Sequence, residues 1–124
     1  MAKEYNLEER LVDFAVAIIR LVDTLPNTKA ANHLGGQLLR SGTSPALNYG
    51  EAQSSESRKD FVHKFKIILK ELRESLVCLK ILRKSNLYDA PESLDKLSRE
   101  CNELVSIFVK SIVTAEKNNL KNTN

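Results

Sequence analysis

Along nearly the whole chain, apolar residues recur at alternating steps of three and four, and no stretch alternates apolar and polar residues one by one. The first spacing keeps side chains on one face of an α-helix, whereas the second would mark a half-buried strand. Four helices are therefore predicted, at about residues 7–25, 28–54, 58–85 and 91–117, with 118–124 as a frayed tail. Asn6, with Glu9 three residues on, opens the first, and Pro26 stops it. Asn27-Thr28 precedes the second, Ser57-Arg58-Lys59-Asp60 reads as a capping box for the third, and Pro91 suits the first turn of the fourth. Pro45 stands inside the second segment, which is expected to kink or break there. Long helices joined by short links pack beside one another in opposite directions. The expected fold is all-α: an antiparallel up-down four-helix bundle with a kinked second helix, one domain over residues 1–117.

The core stripes follow from the same spacing. Helix 3 offers Phe61, Phe65, Ile68, Leu72, Leu76 (or Ser75), Leu79 and Leu82, and helix 4 offers Leu94, Leu97, Cys101, Leu104, Phe108 and Ser111/Ile112. Helix 1 carries two stripes: Leu7, Leu11, Phe14, Ile18, Leu21 and Leu25, then Val12, Ala15, Ile19 and Val22 beside them. That arc is wider than one small core requires, so helix 1 is expected to meet one partner inside its subunit and one outside it. In helix 2 the small residues Gly35-Gly36 and Ser41-Gly42 read as a close helix crossing.

Length and composition add limits rather than identity. A chain of 124 residues suits one domain. No apolar run approaches the ~20 residues that span a bilayer, and Met1-Ala2-Lys3-Glu4-Tyr5 lacks the apolar segment of a secretory signal. Two cysteines, Cys78 and Cys101, make no disulfide framework; both sit on apolar stripes, and a cytoplasmic setting is expected. A net charge of +3 is mild, but it is unevenly spread. Between Ser57 and Lys84 stand nine Lys/Arg and three Asp/Glu, a local surplus of six cations that leaves the rest of the chain net acidic. Lys59, His63, Lys66, Lys70, Arg73, Lys80 and Lys84 fall on one helical line, with Val77 filling its gap. Like charges one turn apart oppose helix formation, so local stability does not explain them. A row of cations on a rod can track a phosphate backbone. The plainer reading is a solvated face offset by acidic neighbours on helices 1 or 4.

Other polar residues also share faces. Gln37, Arg40, Ser44 and Glu51 lie together on helix 2, and Lys64, Glu71, Glu74 and Cys78 on helix 3. Arg40, Glu51, Glu71 and Glu74 are expected to form an ion network along one helix–helix seam, an assembly lock before a reactive site. Asn48 falls on the small-residue stripe, where the backbone groups freed by Pro45 would partner its amide. Arg58 and His63 match R-x4-H, the short signature of HEPN-type ribonucleases, in which the pair would handle a phosphodiester. A di-iron bundle needs two Glu-x-x-His units, and this chain offers only Asp60-x-x-His63 and an unrelated His33. No P-loop, G-x-G-x-x-G or G-x-S-x-G is present, so no metal, cofactor or catalytic residue is assigned.

The run from Gln37 to Ala52, QLLRSGTSPALNYGEA, together with Ser57, Asp60-Phe61, Lys64, Ile67 and Lys70-Glu71-Leu72-Arg73-Glu74-Ser75, resembles the signature of the small proteins encoded in intervening sequences of bacterial 23S rRNA genes. Phe14-Ala15 and the Leu25-Pro26 ending fit it too, and the resemblance covers about residues 7–110. Tyr49 departs from it, standing where smaller or aliphatic residues are usual. The resemblance implies a bacterial four-helix bundle that assembles as a homo-oligomer, a ring-like pentamer, with no enzymatic activity attached. The family is also similar to accessory proteins of diversity-generating retroelements, bundles that engage nucleic acid and a reverse transcriptase. Three functions stand against one another: a non-catalytic assembly binding RNA or other nucleic acid through the helix 3 line, a protein-interaction scaffold without nucleic acid, and a HEPN-like ribonuclease.

Overall fold

In the computed structural model, which describes residues 6–122, the four helices are α1 (Leu7–Asp23), α2 (Lys29–Ala52), α3 (Arg58–Ser85) and α4 (Pro91–Asn122). Their starts are capped as the sequence dictates. The Asn6 side chain accepts from the Glu9 amide at 3.0 Å, Thr28 Oγ1 from the Ala31 amide at 3.2 Å, and Ser57 Oγ from the Asp60 amide at 3.1 Å. Each bond satisfies a donor that the first helical turn leaves free, worth about 1 kcal/mol. Asn86 ends α3 in the left-handed region, at φ 57° and ψ 31°, where asparagine fits better than most residues.

Of the two outcomes expected at Pro45, the break does not occur: α2 runs as one α-helix from Lys29 to Ala52. The residues one turn earlier are Ser41 and Gly42, which leave room for the ring, and packing on both flanks holds the helix through the lost hydrogen bond. Nor does α4 stop near residue 117: it continues to Asn122, because nothing from Lys117 to Asn122 is a glycine or proline. The last two residues of the expected tail lie outside the described residues.

Helix α1 packs on α2, α2 on α3, and α3 on α4, while α1 and α4 touch only sparingly. The core runs through Leu11, Phe14 and Ile18 of α1, Leu38 of α2, Ile68, Leu72, Leu79 and Leu82 of α3, and Leu94, Leu104 and Phe108 of α4. Each such side chain contributes about 1.5–3 kcal/mol when removed from water. Tyr49 packs among rings, its centroid 5.9 Å from Phe65 and 6.3 Å from Phe108, so the departure at that position fills an aromatic cluster. Of the alternatives at 75 and 76, Ser75 takes the core position. Its hydroxyl donates to Ser41 Oγ at 2.8 Å, and both serines are fully buried. Cys101 is buried as well, its thiol donating to the Leu72 carbonyl at 3.2 Å, and both cysteines are free.

Candidate nucleic-acid interface

Seven residues of α3 share one outer face. Lys59, His63, Lys66, Lys70, Arg73, Lys80 and Lys84 are all exposed, as is Val77 between them. The helix turns them away from its core residues Phe65, Ile68, Leu72 and Leu79. Among the described residues, one acidic group meets this line: Glu116 of α4, 3.0 Å from Lys66 Nζ. Helix α1 supplies none, because α1 and α3 are not neighbours. The other cations of α3 that find partners lie off the line, Lys64 with Glu51 at 2.6 Å and Arg83 with Asp95 at 3.1 Å. Acidic neighbours therefore offset one position of the line and leave five cations without a partner among the described residues.

Arg58 and His63 are separated by five residues of helix, which turns them about 140° apart. They border different depressions, Arg58 with Phe61, Phe65 and Lys110, and His63 with Lys59, Lys66 and Glu116. The two side chains do not converge on one point.

The expected four-residue ion network divides in two. Arg40 binds Glu71 through Nη1, at 2.9 and 3.0 Å to the two carboxylate oxygens, and Glu74 through Nη2. Its hydrogen bond and charge contact with Glu71 raise the guanidinium above its ordinary value. Glu71 is only 12% exposed, so this cluster ties α2 to α3 along a half-covered seam. Glu51 is not part of it. That carboxylate sits a further eleven residues along α2, level with Lys64, and pairs there instead. Asn48 is half-buried and donates to the Ser44 carbonyl at 3.1 Å and to Ser44 Oγ at 2.8 Å, so its amide is held by its own helix next to Pro45. Sequence reasoning missed the clamp of Arg10 on Glu100 and Glu103 of α4, for which no local spacing is a signal.

A second surface lies on α1 and α2. Of helix 1's second stripe, Ala15 is buried and Val22 partly buried, but Val12 and Ile19 stay exposed, with Val16 beside them. On α2, Leu39 and Leu47 are exposed, Leu47 at 68%, and the space over Gly36 and Gly50 is open. Ile18 lies against Gly42, and Leu25 and Val22 lie against Gly35, which brings Val12 roughly level with Leu47 and Ile19 with Leu39. On α1 this row lies away from Phe14 and Leu21, which border α4. On α2 it lies opposite Ser41, which touches α3. The two rows thus make one apolar face across the α1–α2 pair.

Among the described residues no group of three or more His, Cys, Asp or Glu is placed to hold a metal ion, and no helix is long and apolar enough to cross a membrane. A cleft of about 690 Å³ opens where α1 and α4 part, floored by Phe14, Leu21 and Leu97. Residues 3–110 match the family model described as 23S rRNA-intervening sequence protein. No curated protein matches the chain. Among solved structures it is similar to a protein with unknown function from the S23 ribosomal protein family of Bacteroides thetaiotaomicron. That likeness has a TM-score of 0.80 at 30% identity and covers 86% of this chain and 98% of the other.

Proposed function

The chain belongs to the 23S rRNA-intervening sequence protein family, and from that premise we propose that it is a non-catalytic, cytoplasmic, homo-oligomeric protein that binds RNA through the outer face of α3. The observation that carries this reading is that five of the six lysines and arginines of the basic line meet no acidic partner among the described residues. From Lys59 to Lys84 the cations extend over about 38 Å of helix. Each lysine or arginine that meets a phosphate releases condensed counterions, so a row of them gives affinity without base readout. Neither an aromatic nor a Gly-rich element interrupts the line, which favours backbone recognition over sequence reading.

Assembly rests on the other face. An apolar surface across two helices, with small residues letting backbones approach, suits a second copy of this chain, and a ring-like pentamer is the proposed form. A ring built on α1 and α2 leaves the α3 line outward on every subunit and multiplies its effect.

The test is a fluorescence-anisotropy titration of a labelled structured RNA at low and at physiological salt, with the protein's mass fixed by light scattering. Binding that weakens steeply with salt supports the proposal; no binding at low salt overturns the RNA reading. The apolar α1–α2 face by itself favours a scaffold that meets proteins only, and that second reading then stands. The ribonuclease reading requires Arg58 and His63 to act together. Unchanged RNA cleavage after His63→Ala disposes of it.

A further inference from the structure

Lys59, His63 and Lys66 border one depression of about 260 Å³ between α3 and α4, and Glu116 closes its far side with a carboxylate 3.0 Å from Lys66 Nζ. We infer that this depression is a phosphate subsite at the N-terminal end of the basic line, held by Glu116 until a phosphodiester displaces it. The inference rests on the RNA reading above and says where on the line the first phosphate is gripped and what competes for the place.

The chemistry is that of one anion standing in for another. A carboxylate and a phosphodiester both offer two oxygens to an ammonium group, and the three basic side chains approach from two successive turns of α3. Glu116 reaches them because α4 continues thirteen residues beyond Glu103, which Arg10 near the start of α1 meets, so its last turns lie on α3 with α1 no longer alongside among the described residues. Both partners are half-exposed, 55% for Lys66 and 49% for Glu116, so parting them buries no orphaned charge. At the other end of the line, Lys80 and Lys84 meet no such carboxylate among the described residues, and a phosphate there binds without competition.

The decisive variant is Glu116→Gln, which keeps the shape and removes the charge. Its RNA affinity should rise about two- to fivefold at low salt, the range of one exposed ion pair. The slope of log affinity on log salt should steepen by up to about one unit. Glu103→Gln removes an equally peripheral charge from α4, away from the line, and should leave both quantities nearly unchanged. Equal gains in the two variants would reduce the effect to net charge and overturn the subsite. If wild type binds RNA and loses affinity in Lys70→Ala/Arg73→Ala while Glu116→Gln changes nothing, the subsite falls and the RNA reading survives. If wild type shows no salt-dependent binding at all, both fall.

Discussion

Replacing Gly42 by alanine tests how α1 seats on α2, the contact that carries the whole apolar outer face. A Cβ built on Gly42 would stand 2.7 Å from Ile18 Cγ1, 2.9 Å from Cγ2 and 3.1 Å from Cβ. Carbon atoms pack at about 3.5–4.0 Å, so α1 would have to withdraw by roughly 0.8 Å or more. Ile18 cannot swing aside, because it is fully buried and its branched Cβ restricts it to one favoured rotamer in a helix. Such overpacking costs about 1–3 kcal/mol. Against that, alanine is about 0.8–1 kcal/mol better than glycine inside a helix. Gly36 separates the two effects. It lies in the same helix, and its added Cβ would meet nothing of its own chain within 4 Å, so Gly36→Ala should keep the helix gain and suffer no clash within the subunit. Because Gly36 also lies on the proposed assembly face, the comparison holds between samples of equal oligomer mass. The propensity gain cancels between the variants, and the difference between them should equal the overpacking alone, about 1–3 kcal/mol. Urea unfolding followed by circular dichroism reads both, with light scattering on the same samples to hold the assembly state in view. Equal stabilisation by the two substitutions would refute the seating of Ile18 on Gly42.

Three further outcomes follow from buried and half-buried contacts. Ser75→Ala should destabilise by about 1–3 kcal/mol by stranding Ser41 Oγ in the core, and the double variant with Ser41→Ala should recover part of that in the same urea assay. Arg40→Ala should lower the urea midpoint by leaving Glu71 and Glu74 without their cation, and Glu71→Gln added to it should restore stability; an unchanged midpoint and an unchanged oligomer mass would remove the seam from the account. Burial, and then the charge of Glu100, push the Cys101 thiol up to about 12 from its ordinary 9.0. Between those values the unfolded thiol ionises while the folded one keeps its proton, so stability should fall as pH rises, by up to about 1.4 kcal/mol per unit. Urea midpoints at pH 8 and 10 should therefore differ more in wild type than in Cys101→Ala, and equal differences would contradict this.

Local signals were the legible part of the fold. Asn6, Thr28 and Ser57 cap the helices they precede because a cap acts within four residues of itself. The start of α4 at Pro91 and the end of α3 at Ser85 are equally local. What spacing could not decide was any choice between two elements. Leu76 and Ser75 fit the α3 stripe equally well on paper, and Ser41 across the seam decides for the serine. Glu51 shares the face of Arg40, yet its level along α2 delivers it to Lys64. Pro45 breaks an isolated helix far more readily than one held on both sides.

The candidate interface divides along the same boundary. Seven residues at one helical period must share one face of α3, so the line was readable before any packing was known. Whether acidic groups cover it depends on which helices lie beside α3. The order of packing answers that: α1 stays away, and among the described residues only the late turns of α4 bring a carboxylate. The double stripe of helix 1 likewise announced surplus apolar surface, but only the register set by Gly35 and Gly42 joins it to Leu39 and Leu47 of α2.

The central claim is that the outer face of α3 grips phosphates, and the most direct measurement is the salt slope of RNA affinity. Wild type, a line variant with Lys70, Arg73 and Lys80 replaced by alanine, and an off-line variant with Lys64 and Arg83 replaced would be titrated against one labelled RNA hairpin from 50 to 200 mM salt. Each phosphate contact contributes nearly one unit to the slope. The line variant should flatten the slope by about two to three units, and the off-line variant, whose cations are already paired with Glu51 and Asp95, should leave it close to wild type. Equal flattening in both, or none in either, would contradict the claim.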